Sequence, residues 1–328
     1  MAVRPRRPTP PESLRTVVLA LATNLGTALA KLGAALFTGS SAMLAESFHA
    51  FADTGNEALL LIAERRSRKP ADERHPLGHG RRAYFWALVA SLGVFALGAL
   101  LSVRQGILEL VAPEPTKSFP TAYAVLGVAF LLDAISLIQA HGQLRAEARA
   151  LARSFLEHLN LSSDPIARAV FAEDAAALVG NAIAFLGIVL HQLTGSAVPE
   201  AIAALVIGVL LGFVALQLAQ RNGDILIGAQ ASAEIRKQIG ASISAQAGIH
   251  AISELLVSFI GPRRAWVVAR VAVDAGLSGA DVETLARTVE EALQRESPFI
   301  ARVDIVPRGN ESALSSGAPP PAVPPNNT

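Results

Sequence analysis

The sequence predicts an α-helical membrane protein of six transmembrane helices followed by a small cytoplasmic α+β domain. Three observations predict it. The chain is 52% hydrophobic and only 17% charged over 328 residues, with a mean hydropathy of +0.42, which is too apolar for an ordinary soluble domain. Six apolar segments are each long enough to cross a hydrocarbon core of about 30 Å, which takes about 20 helical residues. After the sixth, near residue 220, the pattern changes to short alternating and amphipathic stretches.

The elements follow in order. Residues 1–13 are a basic, Pro-rich tail, expected on the cytoplasmic side. No small-residue cleavage site follows the first apolar run, so that run reads as a retained membrane helix and not as a signal peptide. Span one covers about Leu14 to Phe37, with Asn24 and Lys31 as polar interruptions, and span two about Ser41 to Ala63. A polar loop, ERRSRKPADERHPLGHGRR, leads to span three, about Ala83 to Leu110. The link APEPTKSFP precedes span four, about Thr121 to Ala140, and a polar, helical loop runs from about His141 to Asp164. Span five covers about Pro165 to Leu193 and span six about Ala201 to Leu218, so the transmembrane domain is expected over residues 14–220.

Six spans put both termini on one side. Arg4, Arg6 and Arg7 precede span one; Arg65, Arg66, Arg68, Lys69, Arg74, Arg81 and Arg82 lie between two and three; Arg145, Arg149 and Arg153 lie between four and five. Only Lys117 falls in the short loops of the opposite face. By the positive-inside rule the termini and the basic loops are cytoplasmic.

Residues 221–308 read as a cytoplasmic domain: helical SAEIRKQIGASISAQ, then strands ISELLVSFIGP and RRAWVVARVAVD about a turn at Gly261–Pro262. The helix DVETLARTVEEALQRES, capped by Ser278 or Asp281, and a last strand, ARVDIVP, complete it. This order suggests a sheet with helices on one face. Residues 309–328, rich in Pro, Ala and Ser, are expected to be disordered.

The chemistry concentrates in SSAMLAESFHAFADTGNE, residues 40–57. His49 and Asp53 are four apart, so they share a helix face, and Glu46 and Glu57 extend the stripe. Ionisable groups at bilayer depth cost on the order of 3 kcal/mol each and persist mainly where they line a bundle interior and act there. Imidazole with carboxylate is a donor set for a divalent transition metal, zinc in particular. The plainer reading is a His–Asp hydrogen bond that locks two helices. With no cysteine in the chain, thiolate ligands and disulfides are excluded. The net charge of +1 carries no sign of nucleic-acid binding.

With these residues laid out, the chain resembles the cation diffusion facilitator family of metal-efflux transporters. The resemblance rests on Asn24 and Lys31, TGSSAML entering span two, His49, Asp53 and Asn56, HPLGHGRRAYFW, LIGAQAS and the VDIVP strand, in order and at family spacing. It implies six transmembrane helices plus a ferredoxin-like, metallochaperone-like cytoplasmic domain, assembled as a homodimer. It also implies a transport site built from a pair four apart on span two, matched by His49 and Asp53, and a second pair on span five. Asp174 matches one member of that pair, but the position four before it is Val170, where the family often has His or Asp. Glu173, Glu46 or water would then complete the metal's shell. Asp72, His75 and His79 match a zinc-binding loop of some members; solvated loop charges and turn shape are the plainer account. His250 is alone in its domain, and His141, His158 and His191 read as ordinary core or surface histidines. Asp133, in span four, either pairs with Lys31 or lines the cation path.

The expected activity is efflux of a divalent cation, with zinc as cargo, by proton antiport and without enzymatic chemistry. No Walker nucleotide loop is present to couple ATP. Manganese, iron or cobalt export, and a metal-binding membrane protein without transport, are the alternatives. A channel, or a carrier of organic solutes with the stripe as a proton relay, is a further rival. The compact loops and the lack of a targeting extension suggest a bacterial inner membrane, with an organellar one as the other option.

Overall fold

In the computed structural model the chain divides into two compact units, Met1–Lys69 with Arg82–Asp224, and Pro70–Arg81 with Ile225–Thr328. The structure describes residues 14–113, 116–150, 154–155, 165–274 and 276–309. The basic tail 1–13, His158, most of the loop before span five and the C-terminal tail from residue 310 lie outside them.

The first unit is all helix: α1 (Leu14–Thr38), α2 (Ser41–Ser67), α3 (Arg82–Ala90), α4 (Ala96–Val111), α5 (Phe119–Ala150), α6 (Pro165–Thr194) and α7 (Val198–Leu226). Helices α3 and α4 are one run of chain, interrupted by a π-helical turn at Ser91–Phe95. Four stretches among the described residues are long and apolar enough to cross a membrane: Arg82–Val111, Phe119–Ala146, Phe171–Thr194 and Val198–Leu226. Helix α5 also takes up the first half of the expected polar loop: it runs through His141 to Ala150 without a break.

Small residues set the packing. Ala34, Ala35, Ala42, Ala45, Ala99, Ala184, Ala203 and Ala204 are buried beside Met43, Leu126, Ile188, Ile207 and Leu211. A Cβ on Gly106 would fall 2.7 Å from Leu205 Cγ, and one on Gly208 would fall 2.9 Å from the Val103 amide nitrogen. Helices α4 and α7 therefore meet backbone to backbone. That is the association expected in lipid, where close van der Waals contact stands in for the hydrophobic effect.

The second unit contains α8 (Ala233–Ser244), β1 (Ile249–Gly261), β2 (Arg264–Val273), α9 (Gly279–Glu296) and β3 (Ile300–Gly309). The strand order is β1-β2-β3. β1 pairs antiparallel with β2, and β3 runs parallel to β2, as a strand–helix–strand connection requires. Ile235, Ile239 and Ile243 of α8 and Val289 and Leu293 of α9 are buried, as are Val257, Val267, Ala269 and Val271 of the sheet. The hairpin turn sits one residue beyond the expected place: Gly261 pairs with Arg264, so Pro262 and Arg263 form the loop. Arg263 takes φ 53°, the left-handed position of a turn opened by proline. Ser278 caps α9 and Asp281 completes a reciprocal capping box, so both expected cap residues act together.

Candidate metal centre

Helix α2 starts at Ser40, whose hydroxyl accepts from the Met43 amide. From there the stripe runs inward. Glu46 and His49 are fully buried. Glu46 accepts from Lys31 Nζ of α1 at 3.0 Å. Its other oxygen, Oε1, lies 3.5 Å from His49 Nδ1, and His49 Nε2 lies 3.6 Å from Asp53 Oδ1. Both separations are too long for good hydrogen bonds. Lys31 Nζ is also 3.9 Å from Asp133 Oδ2 of α5, and Asp133 accepts from Asn181 Nδ2 of α6 at 2.5 Å. Gly180, next to Asn181, gives the stripe its room: a Cβ there would run into Glu46 Oε1 and come within 3.2 Å of His49 Nδ1.

Five buried atoms of this cluster have no hydrogen-bond partner among the described residues: Glu46 Oε1, both ring nitrogens of His49, Asp53 Oδ1 and Asn181 Oδ1. Buried polar atoms are nearly always paired, and an unpaired group calls for an explanation such as an ion or water. Carboxylate and amide oxygens with an imidazole nitrogen are ligands for a divalent cation.

The other span residues are placed as follows. Glu57 accepts from Asn24 at 2.8 Å, Glu173 from Asn56, and Asp174 from Ser136 of α5 at 2.8 Å. The structure thus brings His49 and Asp53 side by side, and gives Glu173 and Asp174 partners of their own. The Val170 side chain lies outside the described residues. Sequence reasoning passed over Gly180 and Asn181, one without a side chain and one uncharged.

The second constellation is assembled. Among the described residues, Asp72, His75 and His79 are the one group of three or more such side chains whose ligand atoms lie within 4.8 Å of one another. Asp72 Oδ1 is 2.9 Å from His75 Nδ1, and Oδ2 is 2.9 Å from His79 Nε2. Asp72 Oδ1 also accepts from the amides of Arg74 (3.1 Å) and His75 (2.8 Å), an Asx turn that fixes the carboxylate. Gly78 adopts φ 83°, which lets the chain turn back and bring His79 beside His75, with ring centroids 4.0 Å apart. His79 is buried and His75 exposed. Hydrogen bonds from His79 and His75 hold the Asp72 carboxyl well below the usual carboxylate range. One carboxylate and two imidazoles make three ligands of a tetrahedral zinc site and leave the fourth position open. Gly80 seats this loop: a Cβ there would strike the Ile260 carbonyl and come within 2.8 Å of Gly261 Cα.

The remaining described histidines are engaged elsewhere. His191 is buried with its Nδ1 2.6 Å from Glu200 Oε1, and Glu200 also accepts from Thr116 at 2.8 Å and from Ser40. His250 Nε2 meets Asp274 at 2.5 Å, while Asp304 accepts from Trp266 Nε1 at 2.6 Å. His141 stacks on Phe155 at 4.4 Å between ring centroids.

Residues 17–227 match the family profile described as the cation efflux transmembrane domain. The chain is 31% identical over 260 residues to the mitochondrial proton-coupled zinc antiporter SLC30A9 of Xenopus laevis, covering 79% of this chain and 46% of that protein. It is 33% identical over 216 residues to metal tolerance protein C4 of Arabidopsis thaliana, covering 66% and 47%. It is 27% identical over 262 residues to the cation-efflux pump FieF of Cronobacter sakazakii, covering 80% and 81%. The chain thus spans about half the length of the first two relatives.

Proposed function

This chain belongs to the cation efflux, or cation diffusion facilitator, family of membrane transporters, and we propose that it exports a divalent cation, zinc in first place, in exchange for protons. The observation that carries this reading is the group of five unpartnered buried polar atoms around His49 and Asp53, of which one ring nitrogen and the three oxygens can serve as cation ligands. Buried polar atoms left without partners inside an apolar bundle are costly and mark a functional site. Relatives named as a proton-coupled zinc antiporter and as a cation-efflux pump support the cargo and the coupling.

In this reading α1 and α2 cross the membrane with the four apolar stretches, which gives six spans with both termini in the cytoplasm of a bacterial inner membrane. His49 and Asp53 take the metal. Asp174 and Glu173, held by Ser136 and Asn56 in the present arrangement, approach from α6 when the cation is loaded. Imidazole and carboxylates bind metal only when deprotonated, so metal and protons exclude one another at these atoms. Asp72, His75 and His79 form a second, cytoplasmic metal site. The second unit serves dimerisation and regulation in a homodimer.

The test is cation flux into proteoliposomes under an imposed pH gradient, with zinc and manganese as alternative cargoes. Asp53→Ala is expected to reduce zinc flux at least a hundredfold, and Asp174→Ala to reduce it by a similar amount. Zinc flux that survives Asp53→Ala in correctly folded protein would make the stripe structural. Manganese carried faster than zinc would move the cargo toward the oxygen-loving metals, consistent with the carboxylates Glu46 and Asp133 beside the pair.

A further inference from the structure

Lys31 is the one buried cation beside His49 and Asp53 among the described residues, and the transport reading leaves it without a task. It is 2% exposed and sits on α1. Its ammonium lies 3.0 Å from Glu46 and 3.9 Å from Asp133, so it bridges carboxylates of two other helices. A helix-locking ion pair is the ordinary account of such a contact. Two features argue for more.

First, a locking pair would satisfy its own polar atoms. Here the ammonium occupies Glu46 Oε2 and leaves Oε1 unpartnered toward His49. Asn181 likewise donates to Asp133 and leaves its own oxygen unpartnered. The lysine thus neutralises one end of a cluster whose other end consists of polar atoms without hydrogen-bond partners. Second, the charges favour a cation. Among the groups around Lys31 itself, three carboxylates, Glu46, Asp53 and Asp133, against the single ammonium give a formal charge of −2 with His49 neutral. Glu173 and Asp174 add to it on approach, so the site is rich in negative charge even with the lysine. Without the lysine the same cluster would carry one negative charge more and hold a divalent cation more tightly.

We propose that Lys31 is the tethered counter-cation of the transport cavity, held by Glu46 and Asp133 so that the cavity can both bind a divalent cation and let it go. This rests on the assignment of His49 and Asp53 as the transport pair. Glu46 is then a member of the cavity, sharing its carboxylate between the fixed ammonium and the mobile metal.

The sign of the effect separates this role from a structural one. Removing a helix lock loosens the site, whereas removing a competing positive charge tightens it. Zinc affinity is measured by calorimetry on the full chain in nanodiscs, in a His75→Ala, His79→Ala background that silences the loop site. Lys31→Gln is expected to bind zinc about tenfold tighter or more, because an added negative charge a few Å from a divalent ion acts in a poorly screening interior. In proteoliposomes its KM and kcat are both expected to fall about tenfold. Lys31→Arg keeps the charge and is expected to stay within threefold of the parent.

Lys31→Gln leaves Glu46 unpaired and can fail to fold. The double variant Lys31→Gln, Glu46→Gln restores the formal −2 and is expected to return affinity to within threefold of the parent. Unchanged or weaker zinc binding in Lys31→Gln overturns the proposal, as does a double variant at least tenfold weaker than the parent. Asp53→Ala separates the two readings. If it abolishes zinc binding while Lys31→Gln changes nothing, only the counter-cation role fails. If Asp53→Ala binds zinc as the parent does, the transport assignment fails and takes this role with it.

Discussion

At position 180 a side chain is excluded by the Glu46 carboxylate, which occupies the space a Cβ would take, while His49 Nδ1 would be crowded at 3.2 Å. Gly180→Ala displaces both without changing any ligand. Its expected effect is a loss of zinc flux of about tenfold or more, from a 1 Å misplacement of the ligands, with the protein eluting and melting as the parent does. Normal flux in that variant would mean that Glu46 and His49 stand outside the path. The contrast between Gly180 and His49 shows what a sequence makes legible at this scale. His49 and Asp53 announce themselves, since charge at bilayer depth is costly and a spacing of four places them on one face. Gly180 and Asn181 cost little where they stand. They acquire meaning only when α6 lies against α2, and a single helix carries no sign of that. The partners of Asp174 and Glu173 were hidden for the same reason: Ser136 and Asn56 are on other helices.

Among the elements, α9 offers the cleanest energetic test. Ser278 accepts from the Asp281 amide and Asp281 accepts in return from the Ser278 amide at 2.9 Å. Ser278→Ala is expected to cost about 1 kcal/mol, which hydrogen exchange would read as roughly fivefold faster opening of the α9 amides. The hydrogen bonds from Ser278 also hold the Asp281 carboxyl below its ordinary value. A group depressed in this way stabilises the folded state above its unfolded value of about 3.9, and that contribution fades as pH falls through the lower, folded value. Protection of α9 is therefore expected to be flat between about pH 5 and 7 and to decline only below about 4, with a smaller decline in the Ala variant, which keeps the backbone hydrogen bond to Asp281 but loses the hydroxyl's. Most helix and strand positions were legible to within a few residues, because hydropathy and alternation are local signals, but α5 and α7 continue past their apolar stretches to Ala150 and Leu226, where hydropathy no longer marks the helix. Two further features were not legible. The segment SLGVF contains no proline to announce the π-helical turn at Ser91–Phe95. The seat of the Asp72–His75–His79 loop is a contact of Gly80 with Gly261 and the Ile260 carbonyl, glycine against backbone, which no hydrophobic pattern encodes.

For the molecule as a whole, the asymmetry of basic residues is the feature expected to orient it, and a chain without cysteine makes that directly measurable. Ser196, between α6 and α7, and Gln294, on α9, are both exposed. A membrane-impermeant maleimide applied to right-side-out vesicles is expected to label Ser196→Cys and to reach Gln294→Cys only after lysis. The reverse pattern would invert the topology and the direction of export with it. The sheet of the second unit bears on assembly. Its outer strand β3 contains Pro307 opposite Val271, a residue with no amide hydrogen for a further strand to use, flanked by Arg308. The free edge of β1 is met by its own chain, where the Ala231 amide donates to the Val257 carbonyl at 2.8 Å. Each border of the sheet thus carries a local obstacle to strand addition. Copies of this protein crowded together are thereby hindered from zipping edge to edge into open-ended β fibres.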